Sequence, residues 1–189
     1  MSMRIEVAAH LDDNAATKTK GDLLEEFAHE LASSRGLSVE KEVRTASSEI
    51  DLLCVDRSNG EKIYLECKAH RGTLSKTALT NLIGVVVGED YAQGWLVSTG
   101  PLSKDAKGYR ENWSKKPSDQ RRKLKVDSEE GLVDALIAAN LVKNPTGILA
   151  PDGLLPGHTK TDWLLLVTEY GRFWTVARFE GGIAAEVFA

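Results

Sequence analysis

Cysteine is nearly absent: the 189 residues hold only Cys54 and Cys67. Both lie inside apolar, strand-like runs and neither has zinc-ligand spacing, so the sequence carries no disulfide framework and reads as having two reduced, half-buried thiols. Long apolar runs are missing as well. No stretch reaches the roughly 18 residues of a membrane span, and Met1-Ser2-Met3-Arg4-Ile5-Glu6 lacks the apolar core of a signal peptide. The expectation is a cytoplasmic protein with no membrane partner. Positive charge is not in excess either. A net charge of −4 and a pI near 5.6 give a whole-molecule field that repels phosphate. Any nucleic-acid contact must therefore come from local patches. No Walker-type glycine loop is present, which argues against nucleotide hydrolysis.

A hydrophobic share of 42% suffices for one substantial core, so one domain plus an appendage is expected. Residues 1–18 show no sustained period and read as a flexible lead-in. From Thr19 to Ser34 a helix is predicted, with Leu24, Phe27, Ala28 and Leu31 on one face, a capping box at Thr19 and Asp22, and Gly36 as the stop. Strands follow over 37–45 and 49–56, then a turn at Arg57-Ser58-Asn59-Gly60 and a strand over 61–69. A helix from Ser75 to about Val87, a strand over 94–98, and a helix capped by Ser103 come next. A strand near 123–126 then leads to a helix capped by Ser128. This alternation predicts an α/β fold over 19–142, a mixed central sheet flanked by helices. Pro145, Pro151 and Pro156, mixed with Gly147, Gly153 and Gly157, mark a linker at 143–161, and 162–189 reads as a C-terminal β-meander appendage.

The chemistry resides in Asp51 and the triplet Glu66-Cys67-Lys68. If the turn is the four residues 57–60, antiparallel pairing sets residue 56 opposite 61 and Asp51 opposite Glu66, with Cβ atoms about 5 Å apart. Lys68, two residues on, shares that face. Two carboxylates so close repel by about 4 kcal/mol at a separation of about 4 Å and an effective dielectric near 20. A hard divalent cation would turn that repulsion into attraction, activate a water and polarise a phosphoryl oxygen. Glu-x-Lys alone is common on solvated strands. Asp51 gives it weight, because Ile50-Asp51-Leu52-Leu53 puts a lone acid inside an apolar run.

The order of helix, strands, acid-bearing strand, Glu-x-Lys strand and helix resembles the PD-(D/E)xK superfamily, and specifically its Mrr-like branch of restriction endonucleases. Gly21-Asp22-Leu23-Leu24-Glu25 matches the Gly-x-x-x-Glu context of that branch's first helix, and Trp95-Leu96-Val97-Ser98-Thr99-Gly100 with Ser103 and Ala106 matches the strand and helix after its catalytic hairpin. The resemblance covers about residues 19–140; the C-terminal meander matches nothing in the family pattern. It implies a restriction-endonuclease-like fold and a metal-dependent DNA endonuclease. Asp51 and Glu66 would ligate Mg²⁺ or Mn²⁺, with Cys67 in the same ligand set. Lys68 would be catalytic base or electrostatic stabiliser, and Glu25 an outer acid. Many Mrr-like proteins carry Gln at the position of Glu66, and the acid here favours metal binding. Glu26 competes with Glu25, but helix geometry points Glu26 away from the core.

Further expectations concern partners. His70 and Arg71 follow Lys68 and could meet a phosphate, whereas His10, His29 and His158 have no ligand spacing. Residues 104–125 hold nine Lys or Arg against three acids, with Tyr109 and Trp113 interleaved. Arg121, Arg122 and Lys123, together with Arg71, are the predicted nucleic-acid contacts. The role expected is restriction or antiphage defence, as a homo-oligomer or as the effector part of a larger assembly. The alternatives are a noncatalytic DNA-binding or scaffold module of the same fold, or a nuclease acting on RNA or branched DNA.

Overall fold

The computed structural model describes residues 3–9, 13–44, 49–69, 72–145, 162–180 and 183–188. Most of the 143–161 linker lies outside them. The elements run β1 (Met3–Val7), α1 (Asp13–Ser34), β2 (Leu37–Arg44), β3 (Glu49–Asp56), β4 (Lys62–Lys68), α2 (Lys76–Gly88) and β5 (Gln93–Ser98). They continue α3 (Lys104–Ser114), α4 (Ser118–Arg121), β6 (Leu124–Ser128), α5 (Glu130–Ala138), β7 (Asp162–Thr168), β8 (Gly171–Glu180) and β9 (Ile183–Phe188). Five strands form a mixed sheet in the order β2-β3-β4-β5-β6, antiparallel from β2 to β4 and parallel from β4 to β6. A second sheet has the order β1-β7-β8-β9.

The sequence pattern explains the layers. Alternation along β4 sends Ile63, Leu65 and Cys67 to one face and Tyr64, Glu66 and Lys68 to the other. The first set packs with Leu24, Phe27, Ala28 and Leu31 of α1 and with Leu132, Val133 and Leu136 of α5. On the other face, Tyr64 and Leu96 pack under Leu79, Leu82 and Val86 of α2 and Ala106 of α3. Glycine at position 94 lets α2 settle onto the sheet: a Cβ there would stand 2.7 Å from Val86 Cγ2 and 2.8 Å from Leu82 Cγ.

Several elements differ from expectation. Residues 3–7 are a strand rather than a flexible lead-in, because β1 pairs in parallel with β7 and buries Ile5 and Val7. The first helix starts at Asp13, six residues before Thr19, since Ala16 is already buried and the Thr17-Lys18-Thr19-Lys20 turn continues the helix. Thr19 and Asp22 therefore lie inside α1 and cap nothing. Ser128 is not a cap either: the β5–β6 ladder extends to it through Ser98, and Glu129, with φ at 44°, turns the chain into α5. The predicted C-terminal meander is present, and it packs onto the core. Its Leu165 and Val167 share a core cluster with β1, α1, α5 and the central sheet, so α1 and α5 are clamped between the two sheets.

Candidate active site

The hairpin of β3 and β4 sets the site's register. Gly60 adopts φ at 75°, donates its N–H to Asp56 O at 2.8 Å, and lets Asp56 N–H reach Glu61 O at 2.9 Å. The four-residue turn thus sets 56 opposite 61, and the ladder runs through Val55–Lys62 to Leu52–Leu65. One step further along, Asp51 comes beside Glu66. There the two strands part. By the two-residue alternation of an antiparallel ladder, the next N–H of β4 facing β3 belongs to Cys67. No strand carbonyl takes it; Asp51 Oδ2 accepts it at 2.8 Å. The acid of the apolar run therefore closes the end of the ladder with its side chain.

Glu66, whose side chain is 18% exposed, lies on the α2 side of β4 and receives the Lys68 ammonium on Oε1 at 2.8 Å. Burial alone would lower the Lys68 pKa. The hydrogen bond to Glu66 and the charges of Glu66 and Asp51 outweigh it and raise the value above the usual lysine range. Lys68 is thus a cation at neutral pH. Tyr64, one turn of the pleat before Glu66, is pushed up to about 12 by burial and by the charges of Glu66 and Asp51. Both carboxylates thus act on the same region. The end of β4 is itself held: Ser98, fully buried, donates its hydroxyl to Lys68 O at 3.0 Å, and Thr99 N–H reaches the same oxygen at 3.3 Å. The sequence reading missed this support, although a serine at the end of an apolar strand is the signal for it.

Cys67 turns its thiol to the α1 face, where burial first and the charges of Asp51 and Glu25 next raise its pKa well above the usual value. That thiol lies on the opposite face of β4 from Glu66, so the atom of Cys67 that a metal beside Glu66 would meet is its main-chain carbonyl. Glu25, half-buried on α1, is close enough for its charge to act on that thiol. Glu26 is exposed and lines a hollow between α1 and the β7–β8 turn with Thr168 and Arg172. Among the described residues no three His, Cys, Asp or Glu side chains converge as a preformed metal cluster. What β3 and β4 supply is two acids with oxygens to spare. Asp51 Oδ1 and Glu66 Oε2 have no protein partner among the described residues, a donor set that suits a hard, largely hydrated cation.

A family model described as a restriction endonuclease, the Mrr catalytic domain, matches residues 16–116, more than half of the chain. The chain belongs to this family. The matched stretch of this Mrr-type restriction endonuclease domain holds Glu25, Asp51, Glu66 and Lys68. It runs from the first turn of α1 past the end of α3. Among solved structures the domain is similar to a protein of unknown function at 16% identity and a TM-score of 0.48, over 67% of this chain and 70% of that one. It is similar to a repair endonuclease from Pyrococcus abyssi at 20% identity and a TM-score of 0.40, over 61% of this chain and 47% of that one. For the DNA modification-dependent restriction endonuclease AspBHI the values are 13% identity, a TM-score of 0.34, and 72% and 38% coverage. The chain spans less than half the length of these two endonucleases. No curated protein matches the sequence.

The expected nucleic-acid contacts fall elsewhere. His70 and Arg71 lie outside the described residues. Lys123 O accepts the Gly94 N–H at 2.9 Å, at the start of β5, and Arg122 pairs with Glu61 at 2.7 Å, at the start of β4. With β4, β5 and β6 parallel, Arg121, Arg122 and Lys123 lie at the opposite end of the sheet from Lys68. Five residues at about 3.3 Å each put them about 17 Å away along the strands.

Proposed function

We propose that this domain hydrolyses phosphodiester bonds in DNA with the help of a divalent metal ion. The observation that carries the reading is the parted end of the β3–β4 hairpin, where Asp51, Glu66 and the Lys68 ammonium meet in a chain of the restriction endonuclease family. Asp51 and Glu66 would hold Mg²⁺ or Mn²⁺, with the main-chain carbonyl of Cys67 as a further oxygen. The bound ion supplies Lewis acidity toward a phosphoryl oxygen and a water of lowered pKa.

The chain's own groups do the rest. Asp51 is oriented by the Cys67 N–H on Oδ2, which leaves its second oxygen for the ion. Lys68, held as a cation beside Glu66, would supply positive charge to the transferring phosphoryl group. Ser98 and Thr99 fix the strand end that carries it. Glu25 stands by from α1 as an outer acid.

The role that follows is cleavage of foreign DNA in a bacterial-type defence, carried out in the cytoplasm, by a homo-oligomer or as the effector part of a larger assembly. The test is incubation of plasmid DNA, and in parallel a structured RNA, with Mg²⁺ or Mn²⁺, comparing the native chain with Lys68→Ala. Metal-dependent DNA cutting lost in the variant supports the reading. Cutting of RNA alone would change the substrate. DNA binding without cleavage by the native chain under either metal would make the domain a scaffold.

A further inference from the structure

The basic stretch 104–125 divides by position and by engagement. Arg122 is held by Glu61, and Lys125 by the Trp95 ring at 3.5 Å and Asp127 at 3.9 Å. Lys116 lies over the Trp113 ring at 4.2 Å. Lys104, Lys107, Arg110, Lys115, Arg121 and Lys123 have no such partner among the described residues, and of these Lys107 and Arg110 are set apart by position. Spaced by three on α3 they share one stripe, exposed, and among the described residues neither makes an ion pair or hydrogen bond through its side chain. That stripe borders a cavity of about 320 Å³ between α3, the end of β6 and the start of α5, which Ser128, Glu129 and Asp134 also line.

The sheet register locates this cavity relative to the site. Lys68 pairs with Ser98, and Ser98 pairs with Ser128, so the three stand on one line across β4, β5 and β6. Val126, which also lines the cavity, packs with the apolar cluster of the α2 and α3 face, the face that carries Glu66 and Lys68. Two strand spacings of about 4.8 Å put Ser128 about 10 Å from Lys68. At about 3.4 Å of axial rise per nucleotide on one strand, that is about three nucleotides. Two unengaged cations thus flank a concave site on the reacting face, at a phosphate-to-phosphate interval from the catalytic lysine.

We infer that Lys107 and Arg110 form a subsite for a backbone phosphate of duplex DNA, about three nucleotides from the scissile phosphate. The inference rests on the nuclease reading for the position of that scissile phosphate. Of the two acids at the rim, Glu129 is held by Arg4 at 3.3 Å. Asp134, exposed on α5, opposes the phosphate. The subsite reads charge and spacing, not base identity.

The test is anisotropy of a labelled random-sequence duplex, with chelator present, over a range of salt concentrations. Lys107→Ser with Arg110→Ser should weaken binding and lower the slope of log K against log salt by about 1.8, the loss of two phosphate contacts. Arg110→Glu alone should weaken it further than Arg110→Ser, and Asp134→Asn should tighten it. The triple Arg121→Ser, Arg122→Ser, Lys123→Ser variant should lower the slope less than the double variant. An unchanged slope in the double variant, a larger fall in the triple variant, weaker binding by Asp134→Asn, or no duplex binding by the native chain at low salt each overturns the subsite. Metal-dependent cleavage with an unchanged slope would defeat the subsite alone. A lowered slope without cleavage under any metal would defeat the nuclease reading alone.

Discussion

The carboxylate of Asp51 accepts the main-chain N–H of Cys67 at 2.8 Å, in the place where a partner strand's carbonyl would stand. Asn keeps an oxygen that can accept this bond, whereas Leu leaves a buried donor unsatisfied at a cost of about 1–3 kcal/mol. Asp51→Asn should therefore be inactive and, in chelator, melt at or above the native temperature, because it also removes repulsion with Glu66. Asp51→Leu should melt lower. Added Mg²⁺ or Mn²⁺ should raise the native melting temperature by mass action and leave Asp51→Asn unmoved. If Asp51→Asn melts clearly lower in chelator and metal stabilises both proteins alike, Asp51 is a structural acid.

Glu25 acts on the Cys67 thiol beside the hairpin, while Glu26 lines the hollow near Arg172 on another side of α1. Glu25→Ala should reduce cleavage at least about tenfold more than Glu26→Ala, the scale of about 1.4 kcal/mol in transition-state stabilisation. Initial rates on plasmid DNA at saturating metal decide it. Equal effects remove Glu25 from the mechanism.

Burial pushes the Cys54 thiol up to about 12 from its ordinary 9.0. A group whose folded pKa is raised contributes stability that is intact below the unfolded pKa and disappears as pH rises through the folded one. The window here is pH 9 to about 12. Above pH 9 the native chain should lose on the order of 1.4 kcal/mol per pH unit through this thiol. Denaturant titrations of native and Cys54→Ala chains should converge as pH rises, and a constant difference would contradict the burial. A thiol reagent at pH 8 should label neither cysteine until the chain unfolds.

Leu165 joins the second sheet to the core that contains α1 and the inner face of the central sheet. Leu165→Ala should cost about 2–5 kcal/mol. It should also lower one cooperative transition, seen alike by tryptophan fluorescence and circular dichroism. A separate early transition of the meander would show that β7 and β8 fold apart from the rest.

How much of this was legible depends on whether the signal was local. The register that sets Asp51 beside Glu66 could be counted from the sequence, since a turn of four residues between two period-two runs fixes which side chains share a face. The parting of the strands could not, because it depends on where the Asp51 side chain goes once β3 ends its pairing. The half-burial of Glu25 and the exposure of Glu26 followed from the apolar face of α1. The strand at 3–7 escaped notice because its partner is β7, and parallel pairing between distant segments leaves no local pattern. Ser128 looked like a helix cap, yet its pairing with Ser98 outweighed that preference. The charge of 104–125 was counted correctly, but a count has no direction. Only the parallel order of β4, β5 and β6 reveals that Arg121 to Lys123 stand at the far end, with Lys107 and Arg110 beside Ser128 at the end that carries Lys68.

The parallel pairing of β1 with β7 also bears on synthesis. A ribosome releases β1 and α1 well before β7, so the part of the shared core that Leu165 and Val167 cover stays open until β7 emerges. The helix that backs the β3–β4 hairpin is covered on both sides only then. Chains that stop short of β7 therefore lack a settled platform under Asp51 and Glu66, and the two acids of the hairpin gain their final support only once β7 has been made.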